Sequence, residues 1–295
     1  MVAPIFGVDV SGIAYMQETA EGVLVTGAYR FVAPELQATT QEKFVPYPVQ
    51  AGGSVDISDF ATAGRMDQTT FMFDLTASGI AYLKDAINIG GSATSGTYWS
   101  HSYIGRIYST DDVQVKYWRA SGAHIDSVMI GAGLASWQTS VTIQHKPATI
   151  TGAANAAGVT IVEYPGAAAD PILNPNTVGS GTLFTFNGTP WYVATLGLRV
   201  NNGNVPIPMG GEQNVARYSR TQRSLDFMIA PYDTNLTTYR PSLNTIGTGV
   251  LTLATGRTIT LSGLYFYGIT QLPFQPTRPA TLGMVGTART LSLAG

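Results

Sequence analysis

The chain of 295 residues contains no cysteine. A disulfide framework, a thiol nucleophile and a thiolate metal site are therefore excluded. No run approaches the roughly 18 apolar residues of a membrane-spanning helix. The first residues also lack the basic start and apolar core of a secretion signal. We therefore expect no membrane insertion, folding in a cytoplasm, and stability that comes from packing and assembly.

Charge is also scarce. Charged residues are 12% of the chain, about half the usual share, and the formal net charge is −2. An isolated soluble domain normally carries more surface charge, whereas a surface covered by other protein needs less. The composition thus favours a subunit of an assembly, with a weakly charged extracellular β-domain as the alternative. Nothing in the net charge indicates a tightly bound nucleic acid.

The residue types that perform chemistry form no recognisable site. The three histidines, His101, His124 and His145, make no HxxxH or HxH pair. The run His124 to Ser127 contains three triad residue types, but on a strand His124 and Asp126 point to one side and Ser127 to the other. No G-x-S-x-G elbow or phosphate loop is present. We predict that the protein is not an enzyme and uses neither a cofactor nor a metal.

Short alternating runs predict the secondary structure. Alternation bounded by Gly, Asn and Asp, as at Leu196, Leu198 and Val200, is typical of half-buried antiparallel strands. Many such strands at short spacing predict a sandwich or a barrel. Two segments instead have helical spacing, with caps at Ser78 and Thr234, and Pro241 ends the second near Arg240. Their apolar positions are Ile80, Leu83 and Ile87 in the first, and Leu236, Tyr239 and Leu243 in the second.

These features occur twice along the chain. Phe71-Met72 and Phe227-Met228 lie 156 positions apart, and the same spacing relates the two helical segments. Ser121-Gly122 and Ser262-Gly263 correspond at a spacing of 141. We predict a duplicated, mostly β chain: two tandem antiparallel barrel or sandwich domains, each with a short flanking α-helix. The domains are residues 1–151 and 182–295, joined by a Gly, Ala and Pro-rich linker at 152–181.

Two further groups of residues are candidates for subunit contacts. The proline-rich segment 31–60 indicates an extended arm or hairpin that adds a strand to a neighbour, or else a surface loop. An acidic group and a basic group suit complementary contacts between copies, with solvated faces as the alternative. The acidic group is Asp56, Asp59, Asp67 and Asp74, and the basic group is Arg217, Arg220 and Arg223.

The order of landmarks resembles one family of bacteriophage tail tube proteins. Gln17 to Gly22 is similar to a Glu-Thr-aromatic-Gly segment of that family, although Ala20-Glu21 stands where the aromatic is usual. The unit 69–88 resembles its strand plus helix, and 121–145 its Gly-x-x-hydrophobic-x-Ser hairpin. The segment 185–203 resembles its strand before an Asn-Asn turn, and Gly210-Gly211-Glu212 precedes the second unit, in which Pro241 departs from the pattern.

The resemblance implies a structural virion protein. Such a protein forms stacked rings around a hollow tube that encloses a tape-measure protein, joins tail terminator and tip proteins, and conducts viral DNA to the host cell. A duplicated chain would form rings of three with pseudo-sixfold symmetry, or alternatively of six. On this interpretation the acidic group supplies lumen or inter-ring charge and the basic group supplies ring-to-ring contacts. The chain would be located in the virion tail after assembly in the host cytoplasm.

A second interpretation is a capsid decoration or carbohydrate-binding β-sandwich protein. It requires aromatic side chains exposed on one face, which Trp99, Tyr103, Trp118 and Trp137 could supply unless they lie in the core. A β-sandwich hydrolase is a third, which the missing catalytic residues disfavour.

Overall fold

The structure is a computed structural model. It describes residues 9–10, 13–33, 36–50, 57–88, 100–107, 116–132, 136–151, 159–161, 170–178, 183–207, 217–231, 242–271 and 282–294. The fold is mostly β, since 72% of these residues lie in strands, and the strands pair almost entirely antiparallel. They do not close into a barrel within the described part of the chain. No helix in these ranges is long and apolar enough to cross a membrane.

The strands divide into two sets along the chain. The first set is β1 (Asp9–Val10), β2 (Ile13–Gln17), β3 (Gly27–Phe31), β4 (Leu36–Gln50), β5 (Ile57–Asp74), β6 (His101–Ile107), β7 (Lys116–Ala132), β8 (Trp137–His145), β9 (Thr149–Thr151) and β10 (Val159–Ile161). The second set is β11 (Phe184–Phe186), β12 (Thr189–Trp191), β13 (Val193–Asn201), β14 (Asn204–Ile207), β15 (Arg217–Arg220), β16 (Ser224–Pro231), β17 (Ile246–Ala254), β18 (Arg257–Gln271), β19 (Leu282–Thr287) and β20 (Thr290–Ala294).

Both sets pair in the same order. In the first, one sheet runs β4–β5–β8–β7 and a second runs β3–β2–β6–β7–β9, so that the long strand β7 belongs to both. In the second, one sheet runs β13–β16–β19–β18 and the other β12–β11–β17–β18–β20. All seven pairings of one set therefore recur in the other. The long strands change sheet beside Gly122 and Gly263, whose φ angles of 60° and 64° favour glycine.

Strand register defines how the two halves correspond. The spacing of 141 between β7 and β18 agrees with the sequence pattern, and both strands have a bulge at matching positions, Asp126 and Tyr267. Thr142 lies opposite both Ser127 and Thr70, and Val285 opposite both Gly268 and Met228. Thr70 thus corresponds to Met228, a spacing of 158 and not 156. A shift of two residues leaves every side chain on the same face of a strand, so alternation could not distinguish the two values.

The first predicted helix is present with a different cap. Helix α1 spans Ala77–Asn88, and the Thr76 hydroxyl, not Ser78, accepts a hydrogen bond from the Gly79 N–H (3.1 Å). The Ser78 N–H instead donates to Asp170 Oδ1 (2.8 Å). Ile80 and Leu83 are buried, as helical spacing predicted. The second predicted helix, from Thr234 to near Arg240, lies outside the described residues, whereas its last predicted apolar position, Leu243, forms an isolated parallel bridge with Phe266.

The predicted linker and arm are described in part. Strand β10 pairs in parallel with β3, and residues 170–178, including a 3-10 helix at Pro175–Thr177, lie against the first half. The Leu173 N–H, for example, donates to the Leu75 carbonyl oxygen, and the Leu173 carbonyl oxygen accepts from the Trp137 N–H. Within segment 31–60, β4 and the start of β5 form one long hairpin. Residues 51–56 at its end lie outside the described residues.

Candidate functional site: the joint between the halves and the free sheet edges

Among the described residues, one ladder joins the two halves. Residues 127–131 of β7 pair antiparallel with residues 197–201 of β13, and Val128 lies opposite Val200. The eight strands β4–β5–β8–β7–β13–β16–β19–β18 therefore form one continuous sheet. The cores are also linked, because the buried Trp137 indole Nε1 donates to the Leu253 carbonyl oxygen (2.9 Å). The chain thus contains one complete joint between two similar units.

The two strands at the ends of this sheet correspond to the two strands of the joint. Strand β18 is equivalent to β7, and its residues 268–271 pair with β19 on one side only within the described chain. Strand β4 is equivalent to β13, and β1 covers its outer edge only at Leu36 and Gln37. Residues 39–43 of β4 have no partner strand on that side among the described residues. The two end strands of the sheet, β18 and β4, are therefore equivalent to the two strands that pair in the joint, β7 and β13.

Burial differs between the joint and the free edges. Val128 and Val200 are fully buried by the joint. Ile269, the equivalent of Val128 on β18, is half-buried, and Glu42, the equivalent of Val200, is exposed. Glu42 also accepts a hydrogen bond from Arg65 (2.8 Å) within its own hairpin. The free edges have the backbone geometry of the joint without its covering partner.

A hairpin reinforces the joint. Strands β14 and β15 form a separate two-stranded sheet in the second half that packs on the first half. The Tyr218 ring lies 4.6 Å from the His124 ring and also packs on Met66. The side-chain amides of Asn202 and Asn204 both donate to the Ile125 carbonyl oxygen (2.9 and 2.7 Å). We call this set the hairpin contact.

The hairpin contact is electrostatically unusual. His124 is 2% exposed, and its Nε2 lies 2.9 Å from Glu21 Oε1. Burial raises the pKa of Tyr218, and the nearby Glu21, Asp67 and Asp126 carboxylates raise it further. Its hydroxyl has no hydrogen-bond partner among the described residues. The neighbouring His101 is also buried, and burial together with His124 lowers its pKa to about 4. These side chains therefore lie in a packed interface between the two halves.

The outer face of the eight-stranded sheet is concave. It lines a groove of about 1190 Å³ that reaches from β4 to β18. Three methionines project from its strands and are about half exposed: Met72 (46%), Met129 (52%) and Met228 (50%). The remaining lining combines Gln, Thr, Ser and Gly with several apolar residues, and its charged positions are Asp74 and Arg199, which lies opposite Asp226. The face is open, mostly apolar and carries few charges.

The predicted acidic group is not one surface. Asp74 is exposed on the concave face and accepts a hydrogen bond from Ser136 (2.7 Å). Asp67 is 3% exposed and bonds Arg65 (3.1 Å) and the Ala148 N–H (3.2 Å). The Arg65 guanidinium in turn has a raised pKa, chiefly because of its hydrogen bond to Asp67. Asp59 lies in β5 with an undescribed side chain, and Asp56 lies outside the described residues.

The basic group is placed only in outline. Arg217 and Arg220 are the first and last residues of β15, with undescribed side chains, and Arg223 is half-buried in the turn before β16. Ring-to-ring contact by these residues stays a prediction.

Sequence reasoning missed a buried polar side chain that makes four hydrogen bonds. Glu18 is 7% exposed, and its carboxylate accepts four hydrogen bonds, from the N–H groups of Gly22 and Gly122 and from the Ser100 and Ser102 hydroxyls. It ties the β2–β3 connection to β6 and to the bend of β7. Glu18 lies within the Gln17 to Gly22 landmark, and no structural role was predicted for it from the sequence. Its position directly after an alternating strand, beside a Gly-containing turn, was the available signal.

The aromatic residues considered for carbohydrate binding do not form an exposed face. Tyr103 and Trp137 are fully buried, Trp118 is half-buried beside His145, and Trp99 lies outside the described residues. Across the described ranges, no group of three or more His, Cys, Asp or Glu residues could hold a metal ion.

Comparison with known proteins adds no assignment. No protein-family model matches the chain, and no curated protein matches it. The argument for function therefore depends on the geometry above and on the sequence landmarks.

Proposed function

We propose that this chain is a structural subunit that assembles head to tail into closed rings of three, and that the stacked rings form the hollow tail tube of a long-tailed bacteriophage. One observation carries the proposal: a joint inside the chain, β7 with β13, has its equivalents, β18 and β4, free at the two ends of the same sheet. Pairing β18 of one copy with β4 of the next repeats the internal joint. Such a contact is heterologous, and it forms a ring when the rotation closes.

The step from ring to tube draws on two further observations. The order of sequence landmarks resembles the tail tube family, as described above. The concave sheet face, extended around a ring, would line a lumen that is rich in apolar and uncharged polar residues and poor in cations. Because Lys and Arg contacts to phosphate dominate the affinity of proteins for DNA, a lumen with few of them would allow DNA to pass without being held.

The ring is tested by blocking the edge. The equivalent of Ile269 in the joint, Val128, is fully buried, so Ile269→Asp would place a charge inside the interface between copies. We expect stacked rings with a central hole from the unaltered chain in negative-stain electron microscopy, and folded monomers from Ile269→Asp. Ile150→Asp is the matched control, since Ile150 is 51% exposed and lies on β9, away from the edge. Rings that persist in Ile269→Asp would contradict the proposal.

Cross-linking tests the register independently of folding defects. The chain has no cysteine, so introduced thiols are unique. Arg199 lies opposite Met129 in the joint, which places Gln41 of one copy opposite Thr270 of the next. We expect a disulfide-linked dimer when Gln41→Cys and Thr270→Cys proteins are mixed and oxidised. Met129→Cys, on β7 in the central part of the sheet, should not cross-link to Thr270→Cys. Equal yields from the two mixtures would refute the register.

A further inference from the structure

The β14–β15 hairpin is the counterpart of the distal part of the β4–β5 hairpin. Pro206 lies opposite Tyr218, and Pro48 lies opposite Phe60. Each of these residues differs from its counterpart by 158 positions, the spacing that relates β5 to β16. The one-residue change of register between Val45 and Pro46 also has its counterpart, between the pairs Asn201–Ser224 and Asn204–Arg220. Phe60 therefore takes the register position of Tyr218.

The two hairpins differ in what they contact. The β14–β15 hairpin packs on His124 and Ile125 of β7, within the same chain. The β4–β5 hairpin extends beyond the sheet, because β8 pairs with β5 only from Asp67 to Asp74. Among the described residues, its distal strands, 46–50 and 57–62, pair only with each other. The distal hairpin thus has no counterpart of the hairpin contact inside the chain.

The surface that corresponds to His124, Ile125 and Asp126 lies on β18. At the spacing of 141 it consists of Tyr265, Phe266 and Tyr267. Tyr265 is half-buried and Tyr267 is 56% exposed, whereas their counterparts beneath the hairpin contact are more buried. An exposed tyrosine on a strand bulge, directly beside a free edge, is typical of a binding surface.

We infer that the distal end of the β4–β5 hairpin of one copy docks on the Tyr265–Tyr267 surface of the next copy, with Phe60 placed against Tyr265 as Tyr218 is placed against His124. The inference rests on the proposed head-to-tail assembly and adds a second, aromatic contact to the edge ladder. The partner is a second copy of this chain, because both surfaces are related by the repeat to surfaces that already bind each other. The hairpin contact inside the chain places Tyr218 against His124, and the corresponding register positions between copies hold Phe60 and Tyr265.

The aromatic contact predicts how strongly assembly depends on Phe60. Burial of one phenylalanine side chain corresponds to about a tenfold change in affinity or more. We expect Phe60→Ala to raise the protein concentration at half-assembly by about tenfold, measured by light scattering, and Tyr265→Ala to do the same. The effect of the double variant should be smaller than the sum of the two single effects, because both substitutions remove the same contact. Tyr192→Ala, an aromatic residue that is 59% exposed on β12's flank, is the matched control and should change little.

Cross-linking separates this inference from the proposed function. Phe60→Cys and Tyr265→Cys proteins are mixed with a short bis-maleimide, and a covalent dimer is expected. If Gln41→Cys and Thr270→Cys cross-link but the Phe60 and Tyr265 pair does not, the hairpin inference is overturned while the ring proposal stands. If neither pair cross-links and no rings are seen, both are overturned. The hairpin inference would also be overturned if Phe60→Cys cross-linked only to copies in an adjacent ring. In that case the covalent dimer would form in stacked rings but not in single rings.

Discussion

Replacement of Glu18 by glutamine should destabilise the protein far more than a loss of one charge suggests. Oε2 accepts from the Gly22 N–H (2.7 Å) and the Ser100 hydroxyl (2.5 Å), and Oε1 from the Ser102 hydroxyl (2.7 Å) and the Gly122 N–H (2.8 Å). Each oxygen therefore receives one hydroxyl and one backbone amide. An amide NH₂ in place of either oxygen still suits the hydroxyl, which can rotate and accept. The backbone N–H cannot change its role, so it loses its acceptor.

The magnitude follows from those contacts. One buried N–H without a partner costs about 1–3 kcal/mol, and the remaining hydrogen bonds lose the strengthening that a charged acceptor gives. We expect Glu18→Gln to lower the free energy of unfolding by about 2–4 kcal/mol, measured by urea denaturation at pH 7 with tryptophan fluorescence. Glu42→Gln is the control, because that carboxylate is 59% exposed and its pair with Arg65 contributes about 1 kcal/mol or less. A Glu18→Gln variant within about 0.5 kcal/mol of the unaltered protein would refute this account of the Glu18 cluster.

Three further predictions concern stability. Burial lowers the pKa of His101 from its ordinary 6.5 to about 4, so the free energy of unfolding should fall by on the order of 3 kcal/mol as the pH drops from 6.5 to 4. His101→Gln should flatten that pH dependence in urea denaturation measured at several pH values. An unchanged slope would count against this account of His101. Trp137→Phe leaves the Leu253 carbonyl without its donor and should cost about 2 kcal/mol, so an unaltered thermal midpoint would argue that the two cores are not coupled there. Gly122→Ala should cost about 1 kcal/mol of backbone strain, and Gly263→Ala more, because its added methyl meets Arg289 Cδ, Cγ and Cβ at 2.8, 2.9 and 3.1 Å whereas the nearest atom at Gly122 is Gly22 Cα at 3.3 Å; calorimetry that finds equal costs would contradict this comparison.

Much of the local structure was predictable from the pattern of residues. Period-two alternation identified β-strands because one face of each strand is buried, as in β8, where Trp137, Val141 and Ile143 face the core. The Ser-Gly pairs gave the correct spacing of 141 because each glycine occupies a left-handed conformation that other residues rarely adopt. Alternation also excludes a shared surface for Asp67 and Asp74, because they are an odd number of residues apart on one strand and lie on opposite faces.

Other features depended on tertiary contacts. Thr76 and Ser78 are both good helix caps, and Thr76 fills that role because Asp170, more than 90 residues away, accepts the Ser78 N–H. Glu18 resembles any carboxylate in a turn until β6 and β7 bring their donors to it. Residues 156 and 158 positions apart present the same face, so only the strand register could select between them.

The sequence by itself determined that the chain is β-rich, poor in charge and internally repeated, because composition and alternation are properties of local stretches. Only the tertiary structure decided which strands are neighbours, since backbone N–H and C=O groups are the same in every strand and do not specify a partner strand. Strand β7 meets β13 across more than 60 residues of chain, and that single pairing leaves β4 and β18 as the edges. The low charge noted at the outset is consistent with those edges being covered by further copies of the chain.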